Sequence, residues 1–65
     1  MVDAALRVEY LSRVEAAARC RVPVSTFDKL RHDGLIPEPD AHMGKHLLWS
    51  ADTIDDLLAR GGTEH

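Results

Sequence analysis

The sequence predicts a mainly α chain carrying one small β-hairpin, in the order helix, turn, helix, hairpin, helix. Three observations carry that prediction. Two short helix-forming runs flank the breaker Arg21-Val22-Pro23. A proline-stiffened segment, Leu35-Ile36-Pro37-Glu38-Pro39, leads into a turn and a strand that ends at Trp49. A third run after Ser50 has helical apolar spacing at Ile54, Leu57 and Leu58.

The first helix is expected over residues 13–20. Ser12-Arg13-Val14-Glu15 has the capping-box pattern, in which the serine hydroxyl accepts from the Glu15 amide and the carboxylate reaches back to the Ser12 amide. Leu11 precedes it where a hydrophobic staple sits, and the run from Ala16 to Cys20 has high helix propensity. Val14, Ala17, Ala18 and Cys20 are expected to face inward. Pro23 has no amide to donate and disfavours a helical residue before it, so the chain breaks here and Pro23 can open the next helix. That second helix is expected over 24–33, with Phe27 and Leu30 inward and Ser25, Asp28, Lys29, Arg31 and His32 outward. Gly34 is its stop, because glycine takes the left-handed residue after a helix at least cost. Two short helices across so tight a turn have the geometry of a helix-turn-helix.

Pro37 and Pro39 hold the following segment extended. His42-Met43-Gly44-Lys45 reads as a turn and His46-Leu47-Leu48-Trp49 as a strand, together a hairpin over 39–49. Ser50 caps a third helix over 51–60, Asp52 occupies the first turn where the helix dipole favours an acid, and Gly61-Gly62 ends it. Phe27, Leu30, Leu48, Trp49, Ile54, Leu57 and Leu58 are the expected core, and Asp55, Asp56 and Arg60 the solvated face. Residues 1–9 read as a short strand or an irregular arm.

A chain of 65 residues holds a single domain, spanning 1–65, with a small core. Tyr10, Phe27 and Trp49 are its only aromatics, which leaves little room for an enclosed catalytic cavity. The one cysteine, Cys20, excludes an intrachain disulfide framework and reads as a small buried hydrophobe in a reducing compartment. No apolar run nears the roughly 20 residues of a membrane span, and the N-terminus lacks a signal-peptide layout, so a cytoplasmic location is expected. Nothing resembles a nucleophile elbow, paired catalytic carboxylates or a Gly-rich phosphate loop, and no enzymatic activity is expected. Cys20, His32, His42 and His46 contain no CxxC pair, and His42 and His46 read as hairpin-surface residues. No metal or other cofactor is expected.

A formal charge of −3 opposes nucleic-acid binding at first sight, because neutralisation of phosphates by Lys and Arg dominates that affinity. The charge is unevenly spread. Residues 13–46 hold Arg13, Arg19, Arg21, Lys29, Arg31 and Lys45 against Glu15, Asp28, Asp33, Glu38 and Asp40. From Leu47 onward, Arg60 stands against Asp52, Asp55, Asp56 and Glu64. Such asymmetry permits a one-sided contact with DNA.

From Tyr10 to Leu58 the residues resemble the compact winged helix-turn-helix shared by phage excisionases, AlpA-like activators and the DNA-binding head of MerR-type regulators. Glu15-Ala16-Ala17 resembles the first-helix signature, Val22 to Phe27 the turn and the start of the recognition helix, and Gly34-Leu35-Ile36-Pro37 the exit before the wing. Gly44 to Trp49, followed by Ser50 and Asp52, is similar to the wing strand and third helix of excisionases in particular. Two positions depart from the pattern. Arg21 stands where the family commonly has a glycine, and Pro23 where it commonly has a capping serine. Ser25, with Asp28 three residues on, is an alternative cap that would start the second helix later.

The resemblance implies a recognition helix in the major groove of double-stranded DNA and a wing at the minor groove. Ser25, Thr26, Lys29, Arg31 and His32 are the implied helix contacts, with Lys29 one turn on from Ser25 and Arg31 toward the flank. His42, Gly44, Lys45 and His46 are the implied wing contacts, and Arg13, Arg19 and Arg21 add backbone contacts. Asp28 is expected to hold Arg31 or Lys29, or to accept from cytosine. The bland reading of Lys29 and Arg31 is ordinary solvated charge. The implied function is that of an excisionase, a recombination directionality factor that binds cooperatively beside an attachment site, bends the DNA and turns a phage integrase toward excision. Head-to-tail self-association is expected, the acidic third helix (Asp52, Asp55, Asp56) of one copy meeting Arg13, Arg19 and Arg21 of the next. The alternatives are a small transcriptional regulator without an effector domain, lacking the long dimerisation helix of MerR-type regulators, and a winged-helix protein-interaction module.

Overall fold

A computed structural model describes residues 8–63. Its elements, in order, are β1 (Tyr10–Leu11), α1 (Arg13–Arg19), α2 (Val24–His32), β2 (Ala41–Met43), β3 (His46–Ser50) and α3 (Ala51–Ala59). Three helices therefore accompany a three-stranded antiparallel sheet of order β1-β3-β2. The sheet is larger than the expected hairpin because Tyr10 pairs with Ser50 and Leu11 with Trp49. Leu11 thus belongs to a strand as well as preceding a helix. Of the expected N-terminal arm, residues 1–7 lie outside the described residues; the Glu9 carbonyl accepts from the Ala51 amide (2.8 Å), which ties the chain before β1 to the start of α3.

The core is organised on Trp49 and Phe27, both fully buried, with ring centroids 5.2 Å apart and planes at 86°. This edge-to-face arrangement sets the positive ring edge against the negative face of its neighbour. Trp49 Nε1–H donates to the Pro37 carbonyl (2.8 Å), so the one polar atom of the largest core side chain is satisfied and the segment after α2 is anchored to β3. Leu11, Ala16, Ala17, Ile36, Ala51, Ile54 and Leu57 complete the buried set.

Several expected core positions are different. Val14 is 58% exposed and Ala18 is exposed, while Ala16 and Ala17 face inward. The small alanines let α1 approach its neighbours closely, a role the longer valine would obstruct. Leu58 is 41% exposed, one position past the Ile54–Leu57 stripe of α3, and Leu30, Leu48 and Cys20 are half-buried. The hairpin turn is confined to Gly44-Lys45, because Met43 and His46 are the last strand pair. Gly44 has φ +61° and Lys45 a negative φ, the signs of a type II′ turn, whose twist suits a two-residue hairpin.

Helix ends follow local chemistry. At α1 the capping box is complete: the Glu15 amide donates to Ser12 Oγ (3.2 Å) and the Ser12 amide to Glu15 Oε1 (2.9 Å). Ser50 Oγ accepts from the Thr53 amide (3.1 Å) at α3. For α2 the N-cap is Pro23, without a side-chain hydrogen bond, and the helix begins at Val24, so Ser25 lies inside it and does not cap. Proline's fixed φ already suits the entry and it has no amide to satisfy, which removes the need for a later start.

All three helices stop in the same way. After α1 the amides of Arg21 and Val22 donate to Ala18 and Ala17; after α2 those of Gly34 and Leu35 to Arg31 and Leu30; after α3 those of Gly61 and Gly62 to Leu58 and Leu57. This is the Schellman pattern, and it requires a left-handed residue just past the cap. Gly34 and Gly61 supply it at φ +79° and +99°. At α1 the residue is Arg21, at φ +60°.

Candidate nucleic-acid interface

All twelve side chains or turn positions singled out from the sequence are exposed: Arg13, Arg19, Arg21, Ser25, Thr26, Lys29, Arg31, His32, His42, Gly44, Lys45 and His46. The fold sorts them into distinct places. Arg13 from the start of α1, Arg31 from α2, Lys45 from the turn and His46 from β3 line one open groove together with Ser12, Val14, Asp28 and Leu47. Its volume of about 530 Å³ would suit a small ligand, yet none of the lining residues is buried. Small-ligand sites bury most of their guest among apolar walls. This groove instead presents three permanent cations and one carboxylate on a chain whose formal charge is −3.

The carboxylate is Asp28, and its partner is Arg13 (Nε to Oδ1, 3.3 Å) rather than Arg31 or Lys29. Arg31 and Lys45 form no ion pair among the described residues. Arg31 also borders a second recess with His32, Gly34 and Glu38, so its guanidinium stands between two concavities. The sequence reading sent Arg31 to the flank and favoured Lys29. Helical spacing explains the difference. Val24, Phe27, Asp28 and Arg31 follow i, i+3, i+4, i+7 and share the side of α2 turned toward α1 and the hairpin. Ser25, Lys29 and His32 form a second stripe, i, i+4, i+7, on the outer side. Lys29 lies 3.6 Å from Asp33 on that stripe. The signal for Arg31 was present in the sequence, as its spacing from Phe27 and Asp28. Ser12, Val14 and Leu47 are groove-lining residues that the sequence reading did not assign to a site.

Arg19 is occupied elsewhere. Its Nε and Nη2 donate to the two carboxylate oxygens of Asp55 (2.7 and 2.9 Å), a fork-on-fork pair that fastens α1 to α3. The guanidinium hydrogen bond, and then its charge, hold the Asp55 carboxyl below the usual carboxylate range. Asp55 also lines a separate recess with Glu9 and Asp52, where carboxylates gather away from the groove cations. Asp40 is held low for a different reason: its Oδ2 accepts from the Ser50 amide (2.8 Å). That bond and the Asp40 amide donating to Leu48 (2.8 Å) brace the base of the hairpin.

Among the described residues no group of three or more His, Cys, Asp or Glu side chains could hold a metal ion. No helix among them is long and apolar enough to cross a membrane. No family model, no curated protein and no solved structure matches this chain.

Proposed function

We propose that this chain is a sequence-specific, architectural DNA-binding protein with a compact winged helix-turn-helix fold, of the excisionase type. In this reading α2 is the recognition helix, the β2–β3 hairpin is the wing, and several copies bind adjacent repeats, bend the DNA and favour excision by an integrase. The observation that carries the reading is the groove shared by α1, α2 and the hairpin. It gathers Arg13, Arg31, Lys45 and His46 on an otherwise acidic chain. Charge collected against the net balance is what a polyanion contact requires. Arg31 joins Lys45 as a principal contact, while Ser25, Thr26, Lys29 and His32 supply the outer stripe of the same helix. Of the six groups expected to meet between copies, four are paired within one chain, Arg13 with Asp28, Arg19 with Asp55 and Asp56 with Arg60, which leaves Arg21 and Asp52 for that contact.

The test begins with selection from a random-sequence duplex pool at low salt, followed by mobility shifts of the recovered duplex across a salt series. Each phosphate contact contributes about 0.9 to the slope of log K against log salt, so three groove cations predict a slope near −3. Arg31→Ala and Lys45→Ala should each flatten it by about 0.9. Absence of any shift at low salt would refute the reading and favour a protein-interaction module, the rival to which the net charge of −3 points. A selected sequence that occurs in the source genome at a promoter rather than at an attachment site would instead assign a small transcriptional regulator.

A further inference from the structure

Met43 is the most exposed large apolar side chain of the described residues, at 69%. Single exposed apolar residues are common on protein surfaces, so exposure alone decides nothing. Its position does. Met43 faces His46 across the last pair of the hairpin, and only Gly44 and Lys45 lie between them. Trp49 points into the core; alternation along β3 puts His46 on the opposite face, and the pairing puts Met43 there with it. The tip therefore carries an unbranched apolar side chain beside an imidazole and a lysine, next to the cationic groove that Lys45 and His46 line.

We propose that Met43 is a wedge that enters a base step of duplex DNA from the minor groove and kinks it. The inference rests on the DNA-binding reading above and adds the means of bending. The minor groove is about 6 Å wide, which admits a side chain from the two-residue tip, and a wedge there opens the groove as it unstacks the step. A flexible thioether can slide between bases, and partial unstacking of a step by an apolar side chain bends the duplex by about 20–90°. The charges fit that occupant. Lys45 in the turn sets a positive charge beside the wedge for the adjacent phosphates, and Gly44 holds the tip to two residues. An apolar partner surface would gain nothing from this cationic border.

The test uses the full chain and the duplex recovered by selection, with 2-aminopurine placed at each step in turn and with end-to-end energy transfer to read the bend. Native protein should raise emission severalfold at one step and bend the duplex. Met43→Ala should lose both signals while retaining at least a third of the affinity, and Met43→Leu should restore them. Circular dichroism should be the same for all three proteins, because the side chain is outside the core. An unchanged bend in Met43→Ala, or native binding with no emission change at any step, would overturn the wedge and leave the DNA-binding reading standing. Failure of the native chain to bind any duplex would overturn both.

Discussion

Replacing Arg21 by glycine should stabilise this protein although it deletes a charged side chain and adds no contact. Arg21 sits at φ +60° in the left-handed position that ends α1, and its side chain makes no hydrogen bond or ion pair among the described residues. A residue with a Cβ pays roughly 1–2 kcal/mol there. Glycine removes that strain but loses about 0.4–1 kcal/mol more chain entropy on folding. The balance is a gain of about 1 kcal/mol, which in a domain of this size raises the melting temperature by about 4–8 °C. Urea unfolding followed by Trp49 fluorescence, with thermal melts by circular dichroism, reads it directly. Arg21→Ala is the decisive control: it deletes the same charge and keeps the Cβ, so it should show little or no gain. Equal stabilisation by Ala and Gly would refute the strain argument, as would a destabilised Arg21→Gly.

Three further outcomes follow from the geometry. Trp49→Phe deletes the donor to the Pro37 carbonyl and part of a fully buried ring, so it should lower stability by about 2 kcal/mol in urea titrations followed by circular dichroism; a loss under about 0.5 kcal/mol would show that the bond contributes nothing. Ser12→Ala removes one arm of the capping box and should lower stability by about 1 kcal/mol, with the helical signal frayed at α1. Asp55 and Asp40 have folded-state pKa values below their unfolded ones, so their stabilisation is present above about pH 4 and disappears as the pH falls through the lowered values. Melting temperature should therefore be level at neutral pH and fall in acid; Asp55→Asn should melt below the native chain at pH 7, with the gap narrowing as the solution is acidified, and a gap that does not change with pH would exclude the Arg19 pair as its cause.

What was legible in the sequence was whatever is decided within one turn of chain. Ser12 and Glu15 are three residues apart, as are Ser50 and Thr53, and each pair closes as its spacing dictates. Gly34 and Gly61 end helices for a reason internal to glycine. The strand at Tyr10–Leu11 was not legible, because two residues carry no period and their partners, Ser50 and Trp49, lie at the far end of the chain. In α1, a seven-residue helix containing three alanines, the apolar face is ambiguous. The choice of Ala16 over Val14 is made by the close approach of other elements, a tertiary effect. The candidate site divides in the same way. Exposure of the cations could be read from their charge, but their grouping depended on how α2 rolls about its axis, and that is set by Phe27 meeting Trp49.

Arg21 joins the stability argument to the functional one. Three helices end with the same pair of hydrogen bonds; two use glycine and one uses a strained arginine, on a chain too small to hold much surplus stability. Strain of this kind points to a use for the side chain, and no partner for the Arg21 guanidinium stands among the described residues. In the proposed function the candidate partners are a phosphate of DNA or the Asp52 of a neighbouring copy. The two differ in what glycine does to binding. If the guanidinium grips a phosphate, its removal weakens binding to a single site and flattens the salt slope by about 0.9. If it grips a neighbouring copy, its removal leaves the single site unchanged and abolishes only the added affinity of tandem sites. Arg21→Gly should therefore be the more stable protein and the poorer binder, and the array on which it binds poorly tells which of the two partners the strain supports.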